Sequence, residues 1–312
     1  MSKLLKRLIL FIIMSLLCII PMYLVDAGLR HVVRPKGFLT TWTDLYTNNI
    51  NADLVIFGTS RAQSHFVSTI IADSLGISVY NLGGMALPSE IQLIRLYELL
   101  STCTKRPKII TLEYSNRSIE HDIGLDKEYQ LYPWMFNNNL YEKYTTLLYG
   151  SYSKYDFHIP LYRYRFRLIN MIKESVKIWD TCERGYYNFA PERNASEWLI
   201  HHAGYRIEIN PQRVEYIREF IETCINNNIK INIVYTPEYY WQNLYSNKKE
   251  FLDTIKSIAT QYDIPFKDFS CDSIPINTDT IFYGDNIHLT KKGAQKFTSE
   301  YYVPFIKNLY GL

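Results

Sequence analysis

The stretch Asp53–Ala62, DLVIFGTSRA, constrains the fold more than any other part of the chain. Leu54-Val55-Ile56-Phe57 is an uninterrupted apolar run of β-prone residues, and Gly58 ends it ahead of a hydroxyl pair and a helix-compatible stretch. The pattern predicts a buried strand, a sharp turn at the glycine, and a helix whose first N–H groups point above the strand. A hydroxyl at such a turn is exposed beside a place suited to an oxyanion, which makes Ser60 a candidate nucleophile. The same Thr-Ser pair also reads as an ordinary cap for the helix beginning near Arg61.

The pattern repeats along the chain. A helical stretch to about Leu75, with Ile70 and Ile71 facing inward, leads to a second strand at Ile77–Tyr80, ended by Asn81-Leu82-Gly83-Gly84. A helix from about Ser89 to Thr102 has Ile91, Ile94, Leu96 and Leu99 on one face, and Lys108–Tyr114 is a third strand. From about 116 to 205 the alternation stops in a segment rich in Tyr, Trp, Asn and Arg, with helix expected near Arg163–Asp180. That segment reads as an insertion over the carboxyl ends of the strands, or as a small subdomain. Asn210 as cap and Pro211 at the first helical position then open a helix to about Asn226. Strands at Ile229–Tyr235 and Pro265–Phe269 flank a helix over 246–262, and Thr290 caps a last helix running toward Ile306. Strands alternating with helices at this spacing predict a parallel α/β sheet in residues 51–312.

Upstream, Lys3, Lys6 and Arg7 precede Leu8–Val25, an apolar run broken only by Ser15 and Pro21 and ended by Asp26. These eighteen residues are just enough to cross a bilayer, and the basic flank predicts a cytoplasmic N-terminus with the body outside. A cleaved signal peptide is the competing reading, but Leu24-Val25-Asp26-Ala27 has no clean small-x-small site, which favours a retained anchor over residues 1–26. Leu16 and Leu17 before Cys18 do not form a lipobox. Residues 27–50 read as a tether and capping segment. Outside the cytoplasm Cys103, Cys182, Cys224 and Cys271 are free to pair in three ways, and buried thiols are the default.

At 312 residues the chain can bury a large core. Thirty-four basic against 31 acidic residues give a net charge of +3 and no polyanion signature, which argues against a nucleic-acid partner. The 27 tyrosines, many of them between residues 129 and 187, suit either ordinary packing or stacking on sugar rings.

Immediately before the last helix lies Tyr283-Gly284-Asp285-Asn286-Ile287-His288-Leu289-Thr290. A carboxylate three residues ahead of an imidazole, on a loop closing onto a cap, can accept from Nδ1–H and leave Nε2 free as a base. His65, His201 and His202 have no carboxylate or cysteine at ligand spacing, so they read as core or surface histidines and no metal is expected. Glu113 at the third strand's end suits substrate binding, or a pair with an arginine such as Arg61. Asn116-Arg117-Ser118 and Asn194-Ala195-Ser196 satisfy the glycosylation sequon, which occurs often by chance.

Taken together, the Gly-x-Ser after the first strand and the Asp-x-x-His before the last helix make the sequence resemble the SGNH/GDSL hydrolase superfamily over roughly residues 51–312, less the insertion. The resemblance implies a three-layer α/β/α, flavodoxin-like parallel sheet. It implies Ser60 as nucleophile, Asp285 and His288 as acid and base, and an oxyanion hole of the Ser60 N–H, the Gly83 N–H and the Asn116 amide. Two blocks depart from the pattern: Gly-Thr-Ser stands for Gly-Asp-Ser, and Glu113-Tyr114-Ser115-Asn116 stands for Gly-x-Asn-Asp with the asparagine about one residue late. With its anchor and Gly-Thr-Ser-Arg block, the chain looks most like the membrane-anchored branch that includes teichoic-acid D-alanine transfer proteins. That likeness implies a cofactor-independent esterase or O-acyltransferase on envelope polysaccharide, beside a membrane-bound O-acyltransferase. A glycan-binding accessory module of the same fold is the alternative. An α/β-hydrolase with Gly58-Thr59-Ser60-Arg61-Ala62 as its elbow fits less well, because its serine stands well into the chain and its acid well ahead of its histidine.

Overall fold

The computed structural model describes residues 2–32, 39–47, 49–120, 159–162, 169, 172–173, 176, 182–188, 190–192, 204–239, 245–271 and 274–312. Five strands form one sheet: β1 (Leu54–Phe57), β2 (Val79–Asn81), β3 (Ile109–Glu113), β4 (Lys230–Tyr235) and β5 (Phe266–Asp268). All pairs are parallel and the order is β2-β1-β3-β4-β5. The chain leaves β1 toward β2 and returns to pair β3 on the other side of β1. That reversal opens a crevice at the carboxyl ends of β1 and β3, where open α/β sheets bind their ligands.

Side chains alternate across the pleat, so each strand feeds two cores. Val55, Phe57, Ile110, Leu112, Ile231 and Ile233 face one layer. That layer consists of α2 (Thr40–Tyr46), α5 (Ser89–Thr102), α7 (Pro211–Asn226) and α8 (Lys248–Gln261). Leu54, Ile56, Ile109 and Val234 face the other, made of α3 (Ser60–His65), α4 (Ser68–Leu75), α9 (Lys291–Phe297) and α10 (Val303–Tyr310). A short α6 (Asn116–Ile119) follows β3, and a π turn at Thr298–Tyr302 joins α9 to α10, so the predicted last helix is one rod with a bulge. The three-layer α/β/α architecture expected from the sequence is the one observed.

Two expectations change. The first helical stretch is two helices, α3 and α4, parted at the extended Phe66 and Val67. The segment expected as a tether and capping segment, residues 27–50, contributes Leu39, Trp42, Leu45 and Ile50 to the first cluster, and Arg95 stacks 4.5 Å over the Trp42 ring. Its residues show no helical period because α2 is only two turns long.

Before it, α1 (Lys3–Val32) carries the apolar run, whose side chains from Leu4 to Val25 are largely exposed. It is the one helix among the described residues long and apolar enough to cross a membrane. Most of the expected insertion, with His201, His202, Asn194 and all of the helix at 163–180 but its helical residues Ile169, Ile172, Lys173 and Val176, lies outside the described residues. Its neck is an antiparallel bridge between Glu120 and Ile209. The five cysteines are free thiols, Cys224 buried and Cys271 exposed.

Candidate active site

Gly58 has φ +147°, and a Cβ there would meet the Glu113 Cβ at 2.6 Å and the Ala62 Cβ at 2.8 Å. Only glycine makes this turn without strain. It releases Thr59 as the N-cap of α3, its hydroxyl accepting from Arg61 N–H at 3.4 Å, and places Ser60 at the helix's first position. The cap is Thr59, and the candidate nucleophile Ser60 stands beside it as the first residue of the helix.

On the other side of the crevice, Asp285 folds its own loop. Its Oδ1 accepts from the backbone N–H of Ile287 at 2.9 Å and of His288 at 2.8 Å. Its Oδ2 lies 2.7 Å from His288 Nδ1, and His288 Nε2 lies 2.8 Å from Ser60 Oγ. With Nδ1–H donating to the carboxylate, Nε2 is left to accept from the serine hydroxyl. Burial opposes the charge on Asp285, but the His288 hydrogen bond and charge and the two N–H donors outweigh it and hold the carboxyl below 3.8. Thr290 caps α9 through Gly293 N–H at 3.2 Å, and Thr290 N–H donates to Phe282 O at 2.8 Å, fixing the loop's far end. Side chains 228 residues apart in sequence therefore form a continuous carboxylate–imidazole–hydroxyl relay.

The other predicted residues take different roles. Gly83 N–H donates to Asn81 Oδ1 at 2.9 Å, and the glycine packs against the Ala62–Gln63 backbone, where a Cβ would collide. Its position is thereby fixed by the loop and by close packing against α3. Asn116 lies at the start of α6, nearly buried, with its amide donating to Glu120 Oε2 at 3.0 Å.

Arg61 and Glu113 are both fully buried, so neither is placed to touch substrate. Glu113 Oε2 accepts from the Thr59 N–H at 2.9 Å and the Thr59 hydroxyl at 3.0 Å, and that hydroxyl also meets Ser115 Oγ at 3.0 Å. Arg61 donates to Thr236 Oγ1 at 2.9 Å, to Thr236 O and to Pro237 O. It lies 4.0 Å from Glu113, 3.6 Å from Glu238 and 4.4 Å over the Tyr235 ring. Lys248 in turn pairs with Glu238. Burial pushes the Glu113 carboxyl up, against the pull of Arg61 and Thr59. The pairing alternative for Glu113 is the one observed, and the cluster clamps the Gly58–Ser60 turn to the ends of β3 and β4.

Sequence reasoning passed over Thr236, Glu238 and the pairing of Thr59 with Glu113, because these contacts join residues more than 50 or 170 positions apart. His65 is a core residue, accepting from Leu289 N–H at 3.1 Å through Nε2, and burial with the charges of Arg61 and His288 keeps it neutral. No cluster of metal-ligating side chains occurs among the described residues.

No protein-family model and no curated protein matches the chain. Among solved structures it is similar to a lipase/acylhydrolase from Enterococcus faecalis, at 16% identity, TM-score 0.41, with 82% of this chain and 95% of that one covered. It is similar to a GDSL-like lipase from Bacteroides thetaiotaomicron VPI-5482 at 10% identity, TM-score 0.40, covering 86% and 99%. An acetyl xylan esterase is matched at 12% identity, TM-score 0.42, covering 82% and 99%.

Proposed function

We propose that the chain is an SGNH/GDSL-type serine esterase or O-acyltransferase, anchored in the membrane by α1 with its body outside the cytoplasm. Its substrates are acyl esters, acetyl above all, of cell-envelope or extracellular polysaccharide. The observation that carries the reading is the unbroken relay of Ser60, His288 and Asp285 at the carboxyl edge of a parallel sheet. His288 Nε2 takes the Ser60 proton as Oγ attacks the ester carbonyl, and Asp285 stabilises the imidazolium. The N–H of Ser60, at the start of α3, is the first oxyanion donor in this reading. The tetrahedral intermediate expels the sugar alcohol, which takes the proton from His288, and leaves an acyl-serine. Water then releases the acid, or a second hydroxyl, supplied beside a membrane-bound O-acyltransferase, accepts the acyl group. Basic Lys3, Lys6 and Arg7 ahead of the span support the orientation.

The test uses the full chain in detergent or nanodiscs with p-nitrophenyl acetate, an acetylated xylan and a fluorophosphonate probe. Ser60→Ala and His288→Ala should each lower kcat by about 10³-fold or more, and Ser60→Ala should abolish labelling. A folded wild type with neither turnover nor labelling would remove the esterase reading.

A further inference from the structure

His65 is the last residue of α3, the helix that Ser60 opens, and it is fully buried. Its backbone is held from two sides. Thr298 Oγ1, in the π turn after α9, donates to His65 O at 3.0 Å and accepts from Val67 N–H at 3.1 Å. Asn81 Nδ2 donates to Ala62 O at 2.8 Å and to Phe66 O at 3.1 Å, and so occupies carbonyls that the short helix leaves open at its end. The His65 ring packs edge-on against Phe297 of α9, with centroids 6.4 Å apart. A side chain fixed in this way is a rigid point from which to hold another part of the site.

What it holds is the residue beside the base. His65 Nε2 accepts from the backbone N–H of Leu289 at 3.1 Å, and the rings of His65 and His288 stand edge-to-face with centroids 6.4 Å apart. A ring nitrogen that accepts carries no proton, so the neutral ring has its proton on Nδ1. Burial, with the charges of Arg61 and His288, lowers the His65 pKa well below 6.5 and preserves the acceptor.

The loop that carries acid and base needs a tie of this kind. Asp285 accepts from Ile287 N–H, from His288 N–H and from His288 Nδ1, and Gly284 N–H donates to His288 O at 3.0 Å. These bonds lie within the loop and fix the base relative to its acid, while the loop as a body could still shift against α3. His65 opposes that shift, because Ser60 and the acceptor for Leu289 stand at the two ends of one short helix.

We propose that His65 is a positioning residue for the relay: by accepting from Leu289 N–H it sets the distance between His288 Nε2 and Ser60 Oγ, and it takes no proton itself. This rests on the serine-esterase reading and deepens it.

The experiment compares wild type, His65→Leu and His65→Gln as full chains in detergent. Glutamine keeps an acceptor near the place of Nε2, and leucine removes it. With p-nitrophenyl acetate, His65→Leu should lower kcat about 10- to 100-fold at unchanged KM, as expected for a displaced base, and His65→Gln should recover most of the rate. A second readout needs no turnover. In protein labelled with nitrogen-15 histidine, the Nε2 resonance of His288 should move in His65→Leu as it does in Ser60→Ala, and stay near its wild-type position in His65→Gln. Should His65→Leu not fold, an ester in place of the Leu289 amide removes the same hydrogen bond from the other side. Wild-type kcat and an unmoved Nε2 resonance in whichever of these two variants folds overturn the proposal. An equal loss in His65→Leu and His65→Gln also overturns it, by assigning the effect to packing of the ring. A wild type without turnover whose Nε2 resonance still answers to Ser60→Ala and to His65→Leu removes the esterase reading and keeps the positioning role. A resonance indifferent to Ser60→Ala removes the relay and the proposal together.

Discussion

Asp285 holds its loop and its histidine with different oxygens, so a single-atom change separates the two tasks. In Asp285→Asn the side-chain oxygen can still accept from the N–H groups of Ile287 and His288. The new amide would then face Nδ1 and donate to it, forcing the proton onto Nε2, which can no longer accept from Ser60. The expected result is a fall in kcat of about 10⁴-fold with little change in unfolding midpoint, measured by ester turnover and thermal denaturation of the same preparation. Arg61 works differently, as the cation between Glu113 and Glu238, the latter paired also with Lys248. Arg61→Met leaves the Glu113 carboxyl buried without its cation, which costs about 3–5 kcal/mol. With Arg61 gone the folded-state pKa of Glu113 rises further above 4.5. The penalty is then full at neutral pH and shrinks as pH falls toward the unfolded carboxyl's value, where both states are protonated. Urea unfolding of wild type and variant at pH 5 and pH 7.5 checks this; a penalty independent of pH would mean that the lost contacts to Thr236 and Pro237 account for all of it.

At the scale of elements, legibility followed locality. Helix α5 was readable to the residue, and α7 with it, because Asn210, Pro211 and the apolar period are local signals, and Asn210 Oδ1 does accept from Gln212 N–H at 2.9 Å. Ser60, Asp285 and His288 stood out because each belongs to a short pattern at an element boundary. Helix α2 was not readable: its membership of the core depends on Arg95 and α5, about fifty residues away. The partner of the Gly83 amide was not readable for the same reason, since it is an asparagine side chain that the sequence offers equally to solvent. If α2 belongs to the core, Trp42→Ala should destabilise by about 3–5 kcal/mol, and a mere tether would show almost no change in denaturant midpoint. At the amino edge, Asp53 joins β1 to its neighbours through Lys105 at 2.7 Å, Ser78 Oγ at 2.6 Å and Lys108 at 3.1 Å. The Lys105 and Ser78 hydrogen bonds hold its pKa well below the ordinary 3.8. Its stabilisation is therefore complete above that value and is lost as pH falls through the lowered folded one. Asp53→Asn should cost about 1 kcal/mol at pH 7, with the two unfolding curves converging below pH 3.

The whole molecule assembles its relay from two distant parts of the chain, with Ser60 opening α3 and His288 on the loop before α9. Packing between the two is direct at His65, which accepts from Leu289 N–H. The described end of the insertion, residues 182–188 and 190–192, adds a strap across both. Tyr187 N–H donates to Gln63 O at 3.1 Å on the nucleophile helix, and Asn188 Nδ2 donates to Leu289 O at 3.1 Å beside the base. Ala190 and the Pro191 carbonyl close over Gly284, next to the acid. Gly185 lets the strap turn at φ +84° hard against Asn81 O, where a Cβ would collide with backbone. A strap that fixes how the two halves of the relay meet should matter to rate more than to stability, because small misplacements of reacting groups are costly. Asn188→Ala should therefore slow fluorophosphonate labelling about tenfold while the thermal midpoint moves little. Gly185→Ala should lower both, since it displaces the strap from β2 as well as from the site. Equal labelling rates in wild type and Asn188→Ala would mean that His65 and the α3–α9 contact alone hold the relay, and that the strap only covers it.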